Sequence, residues 1–162
     1  MAMSIFARLG AIKGESRDAT HKDQIDVLSW SWGVSHSGTV GPGAGAGAGA
    51  GKASFHDLAF SHQLDKASPL LMRACATGER LPDATITVRR AGEGQQDHLV
   101  ITMTDVLVTG VSTSLAAGGD AGDEEVSLSF AKVDLEYKPQ QPDGALDAGI
   151  HFVYDVRAQR AG

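Results

Sequence analysis

The stretch that decides the fold is "QIDVLSWSWGVSHSG", Gln24 to Gly38. Leu28, Trp30 and Trp32 fall on one side of an extended chain, and Val27, Ser29, Ser31 and Gly33 fall on the other. Alternation with a period of two is the pattern of a half-buried strand, because successive side chains point to opposite faces. Trp30 and Trp32 are therefore expected on the core side, with Ser29 and Ser31 on the opposite face.

A glycine tract follows at 38–52, and its core alternates strictly with alanine. It reads Gly41, Pro42, Gly43, Ala44, Gly45, Ala46, Gly47, Ala48, Gly49, Ala50, Gly51 and Lys52. A phosphate-binding loop needs G-x-x-x-x-G-K-[ST]. Taking Gly51-Lys52 as the G-K pair puts Ala46 at the first glycine and Ala53 at the hydroxyl, so the motif fails. The dinucleotide fingerprint fails by parity, since glycines at odd positions are never three apart. The strand pattern resumes at "ASFHDLAFSHQL", with Leu58 and Phe60 in phase. The tract thus joins two strands of one domain. Loops of this length are functional or disordered far more often than they are simple turns.

Period two continues outward. "DATITVRR" aligns Ala84, Ile86 and Val88, and "IHFVYDVR" aligns Ile150, Phe152, Tyr154 and Val156. "QDHLVITMTDVLVTGVSTSL" is long, proline-free and rich in Val, Ile and Thr, as strands are. In "EEVSLSFAKVDLEYK" the apolar face switches after Phe130, from Val126 and Leu128 to Val133, Leu135 and Tyr137. A bulge, or a strand passing between environments, is expected at Ala131-Lys132. One helix is signalled, in "DKASPLLMRACATG": Ser68 as N-cap, Pro69 at the first helical position and Gly78 past the end. Cys75 is expected to be a buried thiol on it. The sum is a mainly β, single-domain barrel over 1–162, of about seven to eight strands with one short flanking helix.

Composition removes several function classes. Net charge is −6 and no basic cluster exceeds Arg89-Arg90, which argues against nucleic acid. No apolar run approaches the ~20 residues that span a bilayer, and the start, "MAMSIFARLG", carries no secretory pattern. A cytoplasmic protein, exported if at all without a cleavable leader, is expected. The single cysteine excludes an internal disulfide. His56 and His62 share a strand face but are separated by about 20 Å, and the other histidines are scattered, so no metal site is read. "GGDAGDEE" lacks the order of an EF-hand and reads as a hairpin loop, and "GVSHSG" misses the last glycine of a nucleophile elbow. No cofactor site, catalytic residue or metal ligand is assigned. The chain does not read as an enzyme.

In order along nearly the whole chain, "KGES" and "DATH" (Lys13 to His21), "IDVLSWSWG", the glycine-rich loop, "DKASPLLMRACATG", "RRAG" (Arg89 to Gly92), and "YKPQ" with "DGA" (Tyr137 to Ala145) resemble the haemolysin-coregulated protein (Hcp) family. These are tube subunits of type VI secretion systems. The resemblance implies hexameric rings that stack into an exported tube, driven by a contractile sheath and tipped by a VgrG-type spike. It also implies a lumen holding small effector proteins, lined here by Ser29 and Ser31, and a subunit or ring contact for the Gly41–Lys52 loop. The competing reading from composition alone is a monomeric β-barrel carrier of a small ligand, which needs a hollow apolar interior.

Overall fold

A computed structural model describes residues 3–41, 51–90 and 96–162. Its strands are β1 (Met3–Leu9), β2 (Ile25–Val27), β3 (Ser29–Ser31), β4 (Val34–His36), β5 (Ala53–Phe55), β6 (Leu58–Gln63), β7 (Arg80–Arg90), β8 (Asp97–Ser114), β9 (Asp123–Tyr137), β10 (Ile150–Asp155) and β11 (Arg160–Ala161). The helix described, α1, spans Ser68–Thr77.

Antiparallel ladders run β2–β1–β7–β8–β9–β6–β3. Because β2 and β3 are consecutive pieces of one segment, the circuit returns on itself and the sheet forms a barrel. The ladder itself is interrupted at Leu28, where the chain changes partner from β1 to β6 and its N–H donates to Ser61 O at 2.7 Å. That switch also breaks the alternation. Ile25 and Val27 are buried, Leu28 and Ser29 are both exposed, and Trp30 turns back toward the core. Leu28 therefore leaves the face that the period-two pattern gave it. A chain that changes sheet partners must spend a residue on the bend.

Directly opposed residues form rows across the barrel. Ile25, Ala7, Ile86 and Ile101 lie in one such row and are all fully buried. Each large apolar side chain removed from water in this way contributes roughly 1.5–3 kcal/mol. Phe60, Met103, Leu128 and Val106 fill the space between the walls, with Leu71 and Ala74 of α1 pressed in from the side. A filled interior does not suit a carrier.

Strand β9 changes neighbour halfway, as its pattern predicts. Asp123–Leu128 pair with β6, whereas Lys132–Tyr137 pair with β10. Phe130 and Ala131 are buried in succession at the change. Opposite Ala131, Asp105 of β8 takes a left-handed φ of 55°, its carboxylate held by Arg80 at 2.8 Å and Arg157 at 3.3 Å.

Three expectations are corrected. The helix N-cap is Ala67 rather than Ser68, because Asp65 Oδ1 accepts from Ala67 N and Ser68 Oγ accepts from Asp65 N, winding the chain one residue early. Gly78 closes the helix as read, at φ 67°. Cys75 is only partly buried, since it sits at the border of the stripe made by Leu71 and Ala74. His56 lies exposed in the turn before β6 and shares no strand face with His62.

Met3–Leu9, which the sequence reading leaves unassigned, is β1. Its alternation is masked because both faces are covered. Phe6 points away from the barrel interior yet is buried under the 12–24 segment, stacked on His21 at 4.4 Å and capped by the Arg89 guanidinium at 5.0 Å. Asp18 holds Arg89 there, and the N–H groups of Thr20 and His21 donate to Asp18 Oδ1. The "KGES…DATH" stretch is thus a polar clasp over the outer face of β1 and β7. Gly14 is required in it: a Cβ would stand 2.6 Å from Gln24 O.

Candidate assembly and cargo surface

Beside β3, the strands β6, β9 and the last third of β8 form a four-stranded wall. Their register aligns two rows on its outward face. Ser29 faces Ser61, then Glu125, then Ser112; Ser31 faces Ala59, then Ser127, then Gly110. Ser29 and Ser31 are exposed, as the alternation around Trp30 requires, and Ser29 Oγ lies 2.7 Å from Ser61 Oγ. Gly110 has a packing reason, since a Cβ there would meet Ser127 Oγ at 2.7 Å. The wall offers small hydroxyls and one carboxylate, with little apolar area for another protein to adhere to.

The tryptophans pack at the rim of the core and are partly exposed. Trp32 donates its indole N–H to His56 O at 3.0 Å and lies against Phe55 at 6.1 Å and Phe130 at 5.8 Å. Phe55 continues the stack onto Tyr154 and Phe152.

Directly behind the serine wall lies a buried polar cluster that the sequence reading missed. His62 Nε2 stands 2.8 Å from Glu124 Oε1, and both side chains are fully buried. Thr113 Oγ1 donates to Glu124 Oε2 at 2.8 Å, and Asp65 Oδ2 lies 3.8 Å from His62 Nδ1. Burial raises the Asp65 carboxyl above its ordinary pKa. The signal was present: His62 is in phase with Leu58 and Phe60, and Glu124 with Val126 and Leu128. Glu124 and Glu125 point apart, as strand geometry demands. Among the described residues no group of three or more His, Cys, Asp or Glu is arranged to hold a metal ion, and no helix is long and apolar enough to cross a membrane.

The glycine tract springs from a short two-stranded arm. β4 and β5 pair from Val34↔Phe55 to His36↔Ala53, and Ser37 and Lys52 extend the pairing through Ser37 N to Lys52 O at 3.2 Å and Lys52 N to Ser37 Oγ at 2.9 Å. Gly51 lies so close to Gly38 that a Cβ would come within 2.0 Å of the Gly38 nitrogen. Gly41 and Lys52 are exposed. Pro42, Gly43, Ala44, Gly45, Ala46, Gly47, Ala48, Gly49 and Ala50 lie outside the described residues.

A filled barrel with a polar outer wall, strand edges that are unpaired among the described residues, and a projecting arm has the build of an assembly subunit. Comparison with known proteins makes the class specific. Residues 6–137 match the family described as "Type VI secretion system effector, Hcp". The chain is 46% identical to Protein hcp1 of Pseudomonas aeruginosa over 159 residues, 97% of each chain. Among solved structures it is similar to Hcp1 from Salmonella typhimurium (TM-score 0.81, 37% identity, 100% of both chains). It is also similar to a type VI secretion system effector from Yersinia pestis (TM-score 0.75, 32% identity, 94% of this chain and 99% of that one). The chain belongs to the Hcp family of type VI secretion proteins. It is a structural subunit of the secreted type VI tube, which is built of hexameric rings.

Proposed function

We propose that the Ser29/Ser31 wall is the lumen surface on which this subunit carries small effector proteins, and that residues 1–162 act as one Hcp-like domain. The observation that carries this is the four-stranded wall and its two open ends. Among the described residues β3 pairs only with β6, and Val108–Ser114 of β8 pair only with β9. Open strand edges invite pairing with another chain. Joining such walls around a ring surrounds a channel with hydroxyls, which suits passage of varied protein cargo.

In this reading the tube is tipped by a VgrG-type spike and moved by a contractile sheath. The arm bearing Gly41–Lys52 reaches a neighbouring subunit or ring. The role asks for no chemistry from the chain. Static light scattering with cargo co-purification tests it: Ser31→Gln should keep the ring mass and lose bound effector. A glutamine variant that retains cargo at the wild-type level places the effector surface elsewhere.

A further inference from the structure

The core rows do not stop where the barrel stops. The row Ile25–Ala7–Ile86–Ile101 continues through Leu135 to Phe152, and a second row runs Val27–Ile5–Val88–Leu99–Tyr137–Ile150. Burial is lost along each row as it reaches β10, where Phe152 is 38% and Ile150 64% exposed. The aromatic stack through Phe55 covers the inner end only, and Val34, opposite Phe55 in the arm, is itself exposed. The other face of β10 is polar: His151 is clamped between Asp134 and Glu136 at 2.9 and 3.0 Å. Among the described residues this shelf is an apolar sheet face without a cover.

A second uncovered apolar surface lies on the opposite flank. β10 and the arm stand on one side of β9, whereas β8, β7 and α1 stand on the other, with α1 packed on β8. Leu70 and Met72 of α1 are exposed, and Leu70 borders a groove with Ile12, Leu81, Arg73 and Glu79. Arg73 is the one charged residue of α1. The 139–149 connection leading into Ile150 carries Asp143 and Asp147 and no basic residue. The flanks are thus matched in apolar character, and each offers an exposed charged side chain, Arg73 on one and Asp147 on the other.

A closed ring of more than two copies needs a heterologous contact, in which one flank of each subunit meets the other flank of the next. We infer that the β10 shelf of one copy, led by Ile150 and Phe152, packs against α1 and the Leu70–Ile12 groove of the neighbouring copy, with Asp147 facing Arg73. This rests on the ring reading above and specifies its contact.

The full-length chain tests it by light scattering. Arg73→Glu and Asp147→Lys should each shift the ring-to-subunit transition to at least tenfold higher concentration, and the double variant should restore the wild-type value. In a Cys75→Ala background, Met72→Cys with Ile150→Cys should oxidise to covalent multimers of up to six chains, while either cysteine alone should give none. Rings that survive both charge reversals, together with no intersubunit disulfide from the cysteine pair, overturn this contact and leave the ring intact. A wild-type chain that stays monomeric overturns the ring reading itself.

Discussion

His62 and Glu124 face each other at 2.8 Å across β6 and β9, fully buried, one residue behind the half-buried Ser61 and the exposed Glu125. Removing one member of a buried hydrogen-bonded pair leaves its partner unsatisfied without solvent, which costs about 1–3 kcal/mol. Glu124→Ala and His62→Ala should each lower stability by that order in urea unfolding. The double variant should lose less than the sum, because neither polar group is then left without its partner. Additive losses would show that the two side chains are stabilised by other neighbours.

The clasp over β1 and β7 contributes to the acid branch of stability. The Arg89 guanidinium holds the Asp18 carboxyl well below the ordinary value of 3.8, aided by Thr20 and His21. A lowered carboxylate contributes stability that is present above its unfolded value and lost as pH falls through the folded one. Thermal melts should therefore fall steeply below about pH 4, and Asp18→Asn should flatten that branch. Asp65 acts with the opposite sign: its raised carboxyl binds a proton more readily when folded, so its contribution grows on acidification. An unchanged acid branch in Asp18→Asn would remove the clasp from this role.

Two histidines separate in titration. Asp134, with Glu136, raises His151 above 6.5, whereas burial, with Arg90, lowers His98 below it. His151 thus contributes stability at low pH that is lost as pH rises through its folded value, and His98 does the reverse. Proton NMR should show two imidazole transitions on either side of 6.5, and Asp134→Asn should bring the upper one down. Coincident transitions would contradict both placements.

Strands with one wet face were legible, because alternation survives there: Leu58–Phe60 and the change of apolar face after Phe130 stand as read. By contrast β7, read as half-buried, has Thr87 and Arg89 of its second face buried under the clasp. β1 was not legible, since the 12–24 clasp buries Phe6 on the outer face and erases the period. Leu28 was misplaced because a change of sheet partner is a tertiary event with no local signature. Ser29 and Ser31 follow from the pleat alone, yet the Ser61, Ser127 and Ser112 that complete their rows depend on register. From β3 to β6 and from β6 to β9 that register joins residues far apart in the chain, Ser29 with Ser61 and Ala59 with Ser127, which no short window of sequence contains.

The arm gives the last prediction. Val34↔Phe55 through His36↔Ala53 form a complete hairpin stem, closed by Ser37 and Lys52. Among the described residues the stem is anchored at its base, by Phe55 on Tyr154 and Trp32 on Phe55. Replacing 38–51 with a two-residue Asn-Gly turn should therefore leave the barrel's melting temperature within a few degrees, because closure entropy changes slowly with loop length. If the tract reaches a neighbouring subunit or ring, the shortened chain should form tubes less readily and support less effector export. Tube length by electron microscopy and secreted subunit in culture supernatant are the two readings. Full-length tubes and undiminished secretion from the shortened chain would reduce the tract to a spacer, and the assembly role of Gly41 to Lys52 would fall with it.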